Sequence, residues 1–213
     1  MSTTAETGSA PQGSSPSAPA PAESRPASRT ADMDYHEMVE LIAEVTGRPT
    51  REVHHRLFRE AIEVGSNVCE EARAFGVTPH VFDDTMQRFY EQTDAFVFEL
   101  AAAHHIPFGQ RIDQNVTEAL AQFTGEPGEV ALLVLGDGIG SDSLHFAESG
   151  YDVTYFEFDG PSARLARARF ERRNQIESIR CLHKLEDIPR GAFDALICRE
   201  VLEHVQDPLG VID

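Results

Sequence analysis

Features that define several protein classes are missing from this sequence of 213 residues. Its three cysteines, Cys69, Cys181 and Cys198, show neither metal-ligand spacing nor the pairing of a disulfide framework. No apolar run approaches the length of a membrane span. The N-terminus lacks the basic start and apolar centre of a signal peptide. These absences predict free thiols in a cytoplasmic protein with no membrane association.

Basic residues are also scarce. The sequence has 18 Lys and Arg but 36 Asp and Glu, which gives a formal net charge of −18 at pH 7. Such a surface repels phosphate backbones and argues against extended nucleic-acid binding. The densest basic run, from Arg164 to Arg173, is predicted to form the solvated face of a helix whose buried side carries Leu165 and Phe170.

Composition divides the chain into three regions. Residues 1–31 are rich in Ala, Pro and Ser and contain no aromatic residue, which predicts a disordered tail. Residues 32–126 carry apolar stripes at helical spacing and predict an all-α region of four helices, which is a small helical domain or cap. The stripes run through residues 38–45, 53–72, 82–100 and 112–123, and Thr78-Pro79 is predicted to open the third helix.

Residues 127–213 have a different pattern, in which strands alternate with helices. Residues 130–135 form a continuous apolar run, which is typical of a strand buried on both faces of a parallel sheet. Further strands are predicted over residues 152–158, 179–182 and 193–198, and helices after Gly140, over residues 161–174 and from Asp207-Pro208. Alternating elements of this kind predict an α/β fold with a doubly wound parallel sheet.

A glycine-rich turn follows the first strand directly, with glycines at positions 136, 138 and 140. Glycine lets a backbone turn tightly and approach a ligand closely. A dinucleotide-binding fingerprint would require a further glycine at Ser141 or Ser143, and neither position has one. An NAD-dependent oxidoreductase is therefore a distant alternative.

An acidic residue ends the predicted second strand. A carboxylate at the carboxyl end of this strand can accept hydrogen bonds from both ribose hydroxyls of an adenosine. Glu157 and Asp159 both meet this requirement, and strand periodicity places them on one side, so the pattern does not choose between them.

The most specific segment follows the predicted fourth strand. Phe193-Asp194 opens that strand, and Glu-Val-Leu-Glu-His follows it from Glu200 to His204, ahead of Asp207-Pro208. Together with the glycine turn, this segment resembles the class I S-adenosylmethionine-dependent methyltransferases, in particular small-molecule and ubiquinone-type O-methyltransferases. Dinucleotide dehydrogenases lack this segment. The resemblance favours Glu157 over Asp159 as the ribose ligand.

The resemblance implies a fold, a cofactor and a site. The fold would be a Rossmann-like partial parallel sheet, the first four strands of the methyltransferase fold in a C-terminally truncated domain, preceded by the all-α region. The cofactor would be S-adenosyl-L-methionine, and the methyl acceptor a small-molecule nucleophile. The implied cofactor-binding residues are Gly136, Asp137, Gly138, Gly140, Glu157, Phe158, Leu185 and Arg199.

Two positions depart from the family pattern. Val134 stands where family members usually have an acid, and Asp137 is a candidate to compensate for it. Lys184 stands where an acid often lies near the adenine, while Leu185 is expected to pack on the ring. These departures keep open the alternative of a catalytically inactive cofactor-binding module or fragment.

Three polar residues after the fourth strand admit two interpretations. Glu200, Glu203 and His204 would share one face of a helix. Some relatives are thought to hold a divalent metal with this arrangement; alternatively, His204 orients the loop by hydrogen bonding or serves as a general base. We assign no metal site to these residues.

Overall fold

The computed structural model describes residues 33–104 and 107–212, excluding the side chains of residues 104–114 and 212. The tail predicted over residues 1–31 lies outside these ranges. Within them, no helix has the length and apolar character needed to cross a membrane. The part before the sheet forms six α-helices: α1 (Tyr35–Thr46), α2 (Thr50–Ile62), α3 (Ser66–Phe75), α4 (Asp84–Gln92), α5 (Ala95–His104) and α6 (Pro107–Phe123).

The prediction of four helices in this region is wrong, because two of the apolar stripes are interrupted. The second stripe is divided between α2 and α3 at Gly65, whose φ of 79° is in the left-handed region. Glu60 stabilises this break, since its buried carboxylate accepts hydrogen bonds from the backbone N–H groups of Gly65 (2.6 Å) and Asn67 (2.7 Å). A capping carboxylate of this kind is not visible in the spacing of apolar residues.

The third stripe is divided between α4 and α5, and its predicted start is also wrong. Thr78-Pro79 does not open a helix. Instead, Asp83 caps α4 by accepting hydrogen bonds from the N–H groups of Thr85 (2.9 Å) and Met86 (3.0 Å). Thr78 and Asp83 are both of a residue type favoured at the start of a helix, but Asp is the stronger cap.

Strands and helices alternate after α6, as predicted, except that only a short 3-10 turn (Leu185–Asp187) lies between the last two strands. The elements are β1 (Ala131–Leu135), α7 (Ser141–Glu148), β2 (Asp152–Phe156), α8 (Pro161–Arg172), β3 (Ile179–Leu182), β4 (Ala195–Cys198) and α9 (Pro208–Ile212). The four strands are parallel and lie in the order β3-β2-β1-β4. This confirms the prediction of an α/β fold in which helices precede a parallel sheet. The strand order reverses at β1, because β2 and β3 lie on one side of it and β4 lies on the other. A crevice for ligands is expected at the carboxyl ends of the strands at such a switch point.

The helical region packs directly against this crevice. Val53 of α2 and Phe98 of α5 share one buried cluster with Ile139 of the glycine turn and Leu165 of α8. All four side chains are fully buried. The cluster joins the two parts of the chain and holds α5 against the turn that follows β1.

Candidate functional site

The glycine turn fills the space between β1 and α7, and its backbone excludes larger residues. Gly138 has φ 55° and Gly140 has φ 75°, both in the left-handed region. A Cβ atom on Gly138 would overlap the side chain of Leu100, and one on Gly140 would lie 2.5 Å from Cζ of Phe170. Glycine is therefore required at these positions both by dihedral angle and by close packing.

Asp137 lies within this turn, and its carboxylate caps the first turn of α7. Its two oxygens accept hydrogen bonds from the N–H groups of Asp142 (3.0 Å) and Ser143 (2.7 Å). Burial raises the pKa of Asp137, and the positive charge of Arg169 opposes that rise. The Asp137 carboxylate therefore has a structural role that needs no ligand, because it satisfies N–H groups at the start of the helix.

Glu157 follows β2 and faces the glycine turn. Its Oε2 accepts a hydrogen bond from the N–H of Gly138 (2.8 Å), and its Oε1 accepts one from the N–H of Phe158 (3.0 Å). Burial raises the pKa of Glu157 above its usual value. A carboxylate oxygen has two acceptor directions, so both oxygens keep capacity for a further donor. Asp159, the other candidate, is exposed.

Two buried side chains that the sequence did not single out hold the same turn. Tyr155 donates its hydroxyl hydrogen bond to the carbonyl of Gly138 (2.6 Å). Arg169 donates from Nη1 to the carbonyl of Ile139 (2.6 Å) and to Oγ of Ser141 (2.8 Å). The prediction that Arg169 belongs to a solvated face is wrong, since the residue is only 2% exposed. The sequence does indicate a place for Tyr155 near the site. It lies two residues before Glu157, and residues two positions apart in an extended segment point to the same side.

Apolar surface lies beside Glu157 at the carboxyl ends of β2 and β3. Phe158 is 45% exposed, and Leu185, in a short 3-10 turn after β3, is 50% exposed. Nδ1 of His183 lies 2.8 Å from the carbonyl oxygen of Glu157 and ties the two strand ends together. Apolar groups beside a few polar anchors are typical of the lining of a small-molecule site.

The end of β4 borders the crevice on its other side. Arg199 forms an ion pair through Nη1 with Oδ1 of Asp142 (2.7 Å) at the start of α7. Val201 packs against Gly136, where a Cβ atom would lie 2.5 Å from its Cγ2. The two contacts fix the segment after β4 against the glycine turn, which brings together all three sequence segments singled out above.

Glu200, Glu203 and His204 do not share a helix face, so that prediction is wrong. Glu200 has φ 54°, and a 3-10 turn over Leu202–His204 replaces the expected α-helical turn. In the described part of the chain, no three His, Cys, Asp or Glu side chains lie close enough to hold a metal ion. Nε2 of His204 is 3.9 Å from Oε1 of Glu203.

The other ring nitrogen of His204 contacts the helical region. Its Nδ1 lies 3.0 Å from the hydroxyl of Tyr90 on α4. The ring of Tyr90 stacks on Phe96 of α5, with 5.3 Å between the ring centroids. Burial raises the pKa of Tyr90, and the negative charges of Glu203 and Glu157 raise it further. Tyr90 therefore lies near the crevice, although apolar periodicity predicted no such role.

Comparison with known proteins agrees with this arrangement. Residues 133–213 match the family described as "Methyltransferase domain". The ubiquinone biosynthesis O-methyltransferases of Psychrobacter cryohalolentis and Psychrobacter arcticus are 31% and 32% identical over 112 residues. These regions cover 49% and 48% of this chain, and 43% and 44% of the two relatives.

The chain thus spans less than half the length of these curated relatives. Among solved structures, a mitomycin 7-O-methyltransferase aligns with 79% of this chain and 46% of its own, at 19% identity and a TM-score of 0.34. The family match covers the glycine turn, Glu157 and the segment after β4. Residues 133–213 of this chain are therefore similar in sequence to methyltransferase domains.

Proposed function

We propose that this chain binds S-adenosyl-L-methionine over the glycine turn and transfers its methyl group to a small-molecule nucleophile. The observation that carries this proposal is the fixed carboxylate of Glu157, whose two oxygens are each held by one backbone N–H. The free acceptor direction on each oxygen suits the two neighbouring hydroxyls of a ribose.

The residues around Glu157 fit the other parts of the cofactor. The adenine would lie against the exposed apolar surface of Phe158 and Leu185. The methionine end would extend past Gly136 toward the end of β4, where Arg199 lies beside Asp142. This placement follows the rule that ligands of open α/β sheets bind outside the carboxyl ends of the strands.

The electrostatics of Glu157 also favour a ligand with hydroxyl groups. Burial disfavours its charged form, which raises its pKa. Two hydrogen bonds from a ribose would stabilise the charged carboxylate and so offset this penalty. A buried carboxylate whose charged form is disfavoured in the free protein is a candidate for a ligand-binding residue.

When bound, the cofactor supplies an activated methyl group on a sulfonium centre. The chain would orient the acceptor and exclude water. We assign this task to the helical region, residues 32–126, as a lid. Leu100 of α5 already contacts the glycine turn, and Tyr90, which stacks on Phe96, contacts His204 in the segment after β4. We expect the acceptor to be a small molecule, and the names of the relatives favour a hydroxyl group.

Calorimetric titration of S-adenosylhomocysteine and of NAD into the chain tests the proposed cofactor. We expect saturable binding of S-adenosylhomocysteine and none of NAD. NAD binding without a response to S-adenosylhomocysteine would overturn the proposal and support an oxidoreductase.

A cofactor-binding module without catalysis is the second candidate. It is favoured by Val134, which is only 1% exposed in β1 at a position where family members usually have an acid, and by the exposed Lys184. Methyl transfer from labelled S-adenosylmethionine to a panel of small hydroxyl compounds separates the two candidates. Transfer that depends on Glu157 supports an enzyme, whereas cofactor binding without transfer to any compound supports a module.

A further inference from the structure

We propose that Tyr155 is a positioning residue of the cofactor site, whose hydroxyl holds Gly138 so that the N–H of Gly138 stays directed at Glu157. This inference rests on the proposed function, because it assigns Glu157 to the cofactor. Tyr155 itself does not touch the ligand in this proposal.

The geometry connects three residues through two hydrogen bonds. Tyr155 and Glu157 are two positions apart at the end of β2, so their side chains leave the same side of the strand. Tyr155 binds the carbonyl of Gly138 at 2.6 Å. Glu157 binds the N–H of Gly138 at 2.8 Å. One strand end therefore clamps one glycine on both of its backbone polar groups.

Gly138 needs such a clamp because its own conformation is weakly restricted. Glycine without a Cβ visits many combinations of φ and ψ, and the observed φ of 55° is one of several accessible values. The hydroxyl of Tyr155 fixes the peptide group after Gly138. Arg169 fixes the next one through the carbonyl of Ile139 at 2.6 Å. Because these two peptide groups are held, the N–H of Gly138 has little freedom to turn away from Glu157.

Tyr155 is well suited to this task. Its side chain is 1% exposed, and its ring meets Phe170 edge-on with 5.4 Å between centroids. Burial raises its pKa well above the usual value, so the hydroxyl remains a donor across the working pH range. A buried neutral donor next to a carbonyl cannot be replaced by water at low cost.

The consequence for the cofactor is preorganisation of Glu157. A carboxylate that is already oriented loses less entropy when it accepts ribose hydroxyls. If Tyr155 loses its hydroxyl, Gly138 regains freedom and the carboxylate loses one of its two fixed donors. We expect the affinity for S-adenosylhomocysteine to fall about tenfold, in the range of one net hydrogen bond.

The test compares Tyr155→Phe with Tyr151→Phe in the full chain. Tyr151 is also buried, but it lies immediately before β2, at the opposite end of the strand from Glu157. Two quantities are measured: S-adenosylhomocysteine affinity by calorimetry, and exchange of the Gly138 amide hydrogen by NMR without ligand. In Tyr155→Phe we expect weaker binding and faster exchange, whereas Tyr151→Phe should leave both within twofold of the wild type.

The outcomes separate this inference from the proposed function. Unchanged affinity in Tyr155→Phe, with or without faster exchange at Gly138, would overturn the positioning role. Absence of binding by the wild-type chain would overturn the proposed function first, and this role with it. A measurement that needs no variant is exchange in the ligand-free wild type, where the Gly138 amide should be protected; an unprotected Gly138 amide contradicts the clamp.

Discussion

The hydroxyl of Tyr90 lies 3.0 Å from Nδ1 of His204, although the two residues are 114 positions apart in the chain. Tyr90 belongs to α4 of the helical region, and His204 belongs to the segment after β4. The contact therefore joins the proposed lid to the edge of the proposed cofactor site. Because the segment after β4 also packs on Gly136 through Val201, its position depends on both parts of the chain.

We predict that Tyr90→Phe loosens the segment after β4. The loss of one half-exposed hydrogen bond, worth about 0.5–1 kcal/mol, should speed hydrogen exchange around the His204 amide roughly two- to fivefold. Tyr35→Phe is the matched control, because the hydroxyl of Tyr35 makes a similar contact with Nδ1 of His54 (2.9 Å) in the helical region. Equal exchange in the two variants would show that the Tyr90 contact does not restrain this segment.

Glu157→Gln should remove most of the cofactor affinity. A neutral amide accepts weaker hydrogen bonds than a carboxylate and presents a donor where an acceptor is needed. We expect the affinity for S-adenosylhomocysteine to fall about 100-fold by calorimetry, close to two lost charge-assisted hydrogen bonds. Asp159→Asn is the control, since Asp159 is exposed and should change affinity less than threefold. A larger effect of Asp159→Asn would transfer the ribose-binding role to that residue.

The strands of this chain were predictable because each is a short apolar run next to a turn signal. The run before Gly136 and the run that ends at Cys198 both meet this description, and their places in the sheet follow from alternation with helices. The helical region was less predictable. The break at Gly65 and the start of α4 after Asp83 depend on capping hydrogen bonds made by Glu60 and Asp83, which apolar periodicity does not record.

The residues of the candidate site were also predictable only in part. Gly138 and Glu157 carry recognisable spacing, so the sequence predicted that they lie close together. Tyr155 and Tyr90 did not stand out, because an aromatic residue in an apolar stripe is ordinarily part of the core. Their roles depend on where one hydroxyl group points, and that direction is set by tertiary packing.

Cofactor affinity should depend on pH through Glu157. The ribose ligand must be charged, and the pKa of Glu157 is raised in the folded protein. Affinity for S-adenosylhomocysteine should therefore fall as the pH decreases through this raised pKa, which lies above the usual range of a glutamate. Titrations from neutral pH down to the usual pKa of a glutamate should show this decline in the wild type. Glu157→Gln should show a flatter profile, and an equal decline in both proteins would assign the pH effect to another group.

The stability of the ligand-free protein should change in the opposite sense. A carboxyl group whose pKa is raised by folding favours the folded state when protonated. Its contribution is present below the unfolded pKa and is lost as the pH rises through the folded pKa. The stability of Glu157→Gln relative to the wild type, measured by urea unfolding, should therefore increase as the pH rises from the usual glutamate pKa through the raised pKa of Glu157. The negative charge of Asp137 contributes to the raised pKa of Glu157, so the difference between the two proteins reports on this pair of carboxyl groups.

Alanine at three glycines should destabilise the chain in a fixed order. Gly47, Gly138 and Gly140 all have φ between 55° and 75°, so each alanine carries a similar backbone strain of about 1–2 kcal/mol. No atom lies within 4 Å of a Cβ at Gly47, which makes Gly47→Ala the control for strain alone.

The other two glycines add steric overlap to this strain. A Cβ at Gly138 meets the end of the Leu100 side chain, which is partly exposed and can move. A Cβ at Gly140 meets the fully buried ring of Phe170 at 2.5 Å and Cβ of Ala166 at 2.9 Å, where no side chain can move easily. Urea unfolding should therefore rank the losses as Gly140→Ala, then Gly138→Ala, then Gly47→Ala. The double variant Leu100→Ala/Gly138→Ala should lose less free energy of unfolding than the sum of the losses in the two single variants, because the shorter side chain removes the overlap at Gly138. If Gly140→Ala costs no more than Gly47→Ala, then the packing of the glycine turn against Phe170 and Ala166 does not limit the residue at this position.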